Sequence, residues 1–87
     1  MTSNNLTAHY LKIEKLIMDV LRLDAALISD EATLSITDFI KSGEYGLAYD
    51  VFAFEFDEGN YIPNPPARMH LNTIATSFGI MFPEKSS

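Results

Sequence analysis

The sequence contains no cysteine. That removes disulfides, thiolate nucleophiles and cysteine-based metal sites together, and it suits a reducing compartment. Its uninterrupted apolar runs are a few residues long, far short of the roughly 20 that cross a bilayer, so no membrane association is expected. Positive charge is scarce, with six Lys and Arg against twelve Asp and Glu. Such a balance repels nucleic-acid phosphate and anionic lipid and attracts basic proteins. No nucleic-acid binding is expected. Residues Met1–Asn5 have neither a charged n-region nor an apolar h-region, so no signal peptide is expected. Together these absences point to a cytoplasmic protein.

Strand patterning is also missing. Only Val51–Phe56 comes close, and its length together with the preceding Leu47 and Ala48 favours a helix. What the chain does have is core material: 47% of its 87 residues are apolar, six of them Phe and four Tyr. A small chain buries only about 60–65% of its unfolded surface, so it needs a rich core. The expected architecture is all-α, a compact bundle of about four helices around a central apolar helix. One domain covers residues 1–87, with 1–5 and 83–87 as frayed tails.

The central helix is expected over Gly43–Glu58. Tyr45, Leu47, Ala48, Tyr49, Val51, Phe52, Phe54 and Phe56 fill well over half of its circumference, which calls for cover on two or more sides. Gly46, Asp50, Ala53 and Asp57 are left as the water stripe, and Glu55 interrupts the apolar arc. Before it, Leu6, Tyr10, Ile13, Ile17, Val20 and Leu21 recur at helical spacing, with Asn5 or Thr7 as cap. Ala25–Ile28 is read as a further turn of that helix. A short second helix runs from Asp30 to Ser42, capped by Ser29, burying Ala32, Ile36, Phe39 and Ile40, and closed by Gly43. Its connection to the central helix is one to three residues, so the two should be neighbours. After Gly59-Asn60, three prolines keep residues 61–66 extended. Asn64 and Pro65 then open a fourth helix that buries Ala67, Leu71, Ile74, Ala75 and Phe78 and stops at Gly79. Ile80, Met81 and Phe82 are expected to fold back on the bundle.

Catalytic patterns are absent. His9 and His70 stand far apart without metal-ligand spacing around either. Asp57-Glu58-Gly59-Asn60 lacks the alternating ligands and closing Glu of a calcium loop. Gly43-Glu44-Tyr45-Gly46 lacks the following Lys-Ser/Thr of a phosphate cradle, and no Ser sits in a glycine elbow. No enzyme activity, cofactor or metal is expected.

Charge is concentrated instead. Residues 24–58 hold nine carboxylates against Lys41 alone, while both flanks are nearly neutral. Within this segment, Leu27-Ile28-Ser29-Asp30-Glu31 and then Asp38-Phe39-Ile40-Lys41-Ser42-Gly43-Glu44-Tyr45-Gly46-Leu47-Ala48-Tyr49 resemble small helical immunity proteins of bacterial polymorphic toxin systems. The similarity is to the MafI-type and contact-dependent growth inhibition immunity proteins, and the exit Gly59-Asn60-Tyr61-Ile62-Pro63 fits the same pattern. The resemblance covers residues 27–63. It implies a protein made beside a toxin, which binds the toxin domain in the cytosol and blocks it.

A toxin acting on nucleic acid presents a basic cleft, which carboxylates can fill. The residues expected to bind such a basic partner are Glu44, Asp50, Glu55, Asp57 and Glu58 as charges, with Tyr45 and Tyr49 as aromatic anchors. The alternative is a structural or adaptor module that forms a homodimer through exposed Phe54 and Phe56. A helix-turn-helix at Ser42-Gly43 is disfavoured, because a recognition helix bearing Glu44, Asp50, Glu55 and Asp57 would meet phosphate with like charge.

Overall fold

The computed structural model describes residues 2–83, with side chains from Ala8 onward. It contains four helices and, among the described residues, no strand: α1 (Thr2–Leu23), α2 (Asp30–Lys41), α3 (Tyr45–Asp57) and α4 (Pro65–Ser77). Helix α1 packs on α4 and α2 packs on α3, and α3 also touches α1 and α4. The central apolar helix thus joins two helix pairs.

Several expectations about boundaries need correction. Helix α1 begins at Thr2, so residues 2–5 are helical rather than a tail, and Asn5 and Thr7 lie inside the helix instead of capping it. Extending an existing helix adds one hydrogen bond per residue and avoids the cost of nucleation. Leu6, placed in the buried stripe, and the tail at 84–87 lie outside the described side chains and residues. At its other end α1 stops at Leu23, and residues 24–27 form a turn, not a further helical turn. The Leu27 amide there donates to the Asp24 carbonyl at 2.8 Å. At this turn the Asp24 side chain points inward, to a loop described below.

Helix α2 follows its sequence closely. The Ser29 hydroxyl accepts from the Ala32 amide at 3.1 Å, and Asp30 and Glu31 stand where the helix dipole favours anions. At its end Gly43 adopts φ 73°. The Glu44 amide reaches back to the Phe39 carbonyl at 2.8 Å, and the Gly43 amide to Ile40 at 3.0 Å. This closing pattern needs a left-handed residue, which glycine supplies without strain. The three residues Ser42, Gly43 and Glu44 then turn the chain into α3. Helix α4 ends in the same way, with the Ile80 amide on the Ala75 carbonyl at 3.0 Å.

The core runs through all four helices: Ile13, Ile17 and Val20 of α1, Ile36 of α2, Ala48, Phe52 and Phe56 of α3, and Leu71, Ile74 and Ala75 of α4. Phe82 folds back into it and packs on Phe56 at 5.0 Å between ring centroids. Ile80 and Met81, expected to do likewise, are exposed. The Arg68 guanidinium lies 5.5 Å from both the Phe56 and Phe82 rings. It clips the returning segment onto α4, with its NH2 group 3.4 Å from the Pro83 carbonyl.

Asp24 is the buried exception, 1% exposed in an apolar interior. It forms no ion pair among the described residues. Its carboxylate accepts from the Tyr61 hydroxyl at 2.6 Å, from the Asn64 amide at 3.2 Å and from the Asn64 side chain at 3.0 Å. One carboxylate therefore ties the end of α1 to the proline-rich loop and to the start of α4.

Burial, and secondarily the hydrogen bond to Asp24, raise the Tyr61 hydroxyl pKa well above its usual 10.0. The unfolded chain gives up that proton near pH 10 while the native chain keeps it, so the native state binds more protons above pH 10. Its contribution is complete below pH 10 and is lost as pH rises toward the folded-state value. The expected slope is about 1.4 kcal/mol per pH unit for this one group. Denaturant unfolding across an alkaline series should show the fall, and Tyr61→Phe should flatten it. Equal slopes in the two proteins would refute this assignment.

Candidate functional site

Helix α3 is apolar nearly all round, yet its neighbours cover only part of it. Ala48, Tyr49, Phe52 and Phe56 face the core. The exposed side includes Gly46, Asp50 and Asp57, as expected, and also Leu47 at 43% and Phe54 at 60%, whereas Ala53, expected in the same stripe, is half-buried against the core. Leu47, Val51 and Phe54 stand four and seven residues apart along one face. The water-facing arc is thus wider than the expected stripe, and the added part is apolar. An 87-residue chain has too few partner helices to enclose a helix of this kind.

Two grooves flank this exposed ridge, and Leu47 and Asp50 border both. The first lies between α3, the middle of α1 at Tyr10 and the C-terminal end of α4. It is lined by Glu44, Tyr45, Tyr49 and Asp50 from the expected set, and by Tyr10, Phe78 and Ile80. The second lies between α2 and α3. Leu47, Val51, Phe54, Phe39 and Ala32 supply its apolar surface, and Glu31, Asp50 and Glu55 its charges. Asp57 and Glu58 line neither groove and close the C-terminal end of α3. Negative charge at that end opposes the helix dipole.

The two tyrosines are not equivalent. The Tyr45 hydroxyl donates to Glu14 Oε1 at 2.8 Å, and its ring stacks on Tyr10 at 5.7 Å. The bond to Glu14, then burial, raise the Tyr45 pKa. Tyr45 is half-buried and borders the surface. Tyr49 is a core residue, 2% exposed, with its ring beside Phe78 and Phe82 at 6.2 and 6.3 Å. As an aromatic anchor for a partner it is therefore corrected: its ring is already enclosed. Its hydroxyl is buried without a hydrogen-bond partner among the described residues. Burial, followed by the charges of Asp50 and Asp57, raises its pKa. Phe56, offered as an exposed dimer contact, is likewise corrected, because it is 3% exposed. Phe54 is the exposed one of the pair.

The arrangement is suited to binding a protein surface. Glu31, Asp50 and Glu55 form no ion pair among the described residues, and they stand beside uncovered apolar side chains. No group of three or more metal-ligating side chains that could hold a metal ion occurs among the described residues. No described helix is long and apolar enough to cross a membrane.

Sequence reasoning missed Glu31 and Leu47 as groove residues, and it raised an exposed Phe54 only as a dimer contact. The acidic run marked Glu31 only as a helix N-terminal charge, and apolar character assigned Leu47 to the buried arc. The available signal was a surplus: α3 carries more apolar side chains than three neighbouring helices of this size can cover. No protein-family model, curated protein or solved structure matches this chain.

Proposed function

We propose that this chain is an immunity protein that binds a cognate toxin domain, a basic protein of nuclease type, and neutralises it in the cytoplasm. The observation that carries the reading is the acidic rim around uncovered apolar side chains on α3 and α2, which offers charge for steering and area for holding. Opposite charge speeds the encounter, while a few desolvated apolar contacts set the lifetime of the complex. The resemblance of residues 27–63 to immunity proteins supports the same reading.

The test is protection. Cells that express the toxin domain encoded beside this chain should survive when the chain is co-expressed and die without it. Death despite abundant, folded chain would overturn the reading. With the two proteins purified, association should slow as salt rises. The double variant Glu31→Lys, Asp50→Lys should slow it about tenfold at low salt and keep the helical signal of the parent. An unchanged association rate would move the interface elsewhere.

A homodimer through Phe54 is the second reading, favoured by the exposure of that ring and of Leu47. It predicts a mass that rises with concentration.

A further inference from the structure

The α2–α3 groove has a defined shape as well as a charge. One side of it is the Leu47, Val51 and Phe54 strip of α3, and the facing wall is Phe39 and Ala32 of α2. A strip spanning seven residues of helix extends about 10 Å, or two turns. Glu31 borders it from α2, and Asp50 and Glu55 border it from α3. No Lys, Arg or His lines it.

An apolar trough between carboxylate rims is complementary to an apolar stripe flanked by cations on both sides. Of the regular elements, an amphipathic helix presents that surface, with anchors at i, i+3 or i+4, and i+7. A strand would place its anchors every second residue, out of step with a groove whose features repeat by helical turns. We infer that the α2–α3 groove seats a single cationic amphipathic helix of the partner protein, with its apolar face along Leu47, Val51 and Phe54 and Lys or Arg residues facing Glu31, Asp50 and Glu55. The identity of the chain that carries this helix rests on the neutralisation reading. The groove's preference for it does not.

A second copy is a poorer occupant. A symmetric contact through this face would set Glu31, Asp50 and Glu55 against their own counterparts. The chain's own α1 exposes Leu11 and Met18 near Lys12 and Lys15. Seating α1 in another copy's groove, however, is a head-to-tail contact that propagates unless it closes into a ring.

The test uses the full chain and three labelled synthetic peptides of about four turns. The first is built of Leu and Lys, with Leu on one helical face. The second replaces every Lys with Glu, and the third shuffles the first so that no apolar face remains. Fluorescence anisotropy should show the first binding at least about tenfold more tightly than the other two, and Phe54→Ala should weaken it about tenfold. Backbone amide shifts should move along α2 and α3 and leave Tyr10 and Ile80 in place. Equal binding of the shuffled peptide would overturn the inference, since charge alone would then suffice. An unaffected Phe54→Ala, or shifts gathered around Tyr10 and Ile80, would overturn it too. So would a concentration-dependent rise in mass that Phe54→Ala abolishes, because a second copy would then fill the groove. Cell protection is scored separately: peptide binding without protection sinks the toxin reading and leaves the groove assignment standing. Protection without peptide binding does the reverse.

Discussion

Asp24→Ala should destabilise the protein by about 3 kcal/mol, measured by denaturant unfolding at neutral pH. The carboxylate is 1% exposed and accepts three hydrogen bonds, from the Tyr61 hydroxyl and two Asn64 groups. Truncation leaves the buried Tyr61 hydroxyl without an acceptor, a penalty of about 1–3 kcal/mol, and releases the loop that leads into α4. Removing the charge also recovers the desolvation cost of an unpaired buried carboxylate, which keeps the loss from being larger. Tyr61→Phe should lose about 1.5–3 kcal/mol, and the double variant less than the sum of the two singles, because they share one bond. For a chain of 87 residues the whole stability is on the order of 4–13 kcal/mol, so Asp24→Ala removes a large fraction of it. A loss below about 1 kcal/mol would mean that the Asp24 bonds are replaced by water at no net cost.

Asp24 also marks where the sequence stopped being legible. Helices are local: the Ser29 cap, the Gly43 and Gly79 stops, and the Asn64-Pro65 start each depend on a few neighbouring residues, and each sits where the sequence put it. The bond from Asp24 to Tyr61 joins residues 37 apart in the chain. Nothing in the surrounding Leu23-Asp24-Ala25 says that this carboxylate, unlike its eight acidic companions in residues 24–58, turns inward. The same limit governs the site. Asp50 and Glu55 were legible as charges at the surface. Which of several apolar residues on α3 lacked a neighbour depended on where α2, α1 and α4 come to rest, a matter of tertiary packing. Periodicity ranks residues by face, but only the number and placement of covering helices decides how much of a face is covered.

Phe54 and Phe56 put that distinction to a direct test, since they are one residue type on one helix, two positions apart. Phe56→Ala should lose about 3–5 kcal/mol, because the ring is 3% exposed, packs on Phe82 and lies under the Arg68 guanidinium. Its loss opens a cavity beneath the returning C-terminal segment, so Phe82 and Arg68 lose their seat as well. Phe54→Ala should change stability by no more than about 0.5 kcal/mol, since the ring is 60% exposed and fills no interior space. Its effect should fall on binding: as the most exposed aromatic ring in the α2–α3 groove, it is placed to be the anchor whose truncation costs a complex most. Thermal melts of the two variants beside the parent, with cell protection scored for each, separate the roles. A stable Phe54→Ala that no longer protects assigns the ring to the partner. A Phe54→Ala that melts as early as Phe56→Ala assigns it to the fold. In that case α3 carries no apolar face to spare, and the case for the α2–α3 groove as a protein-binding surface falls with it.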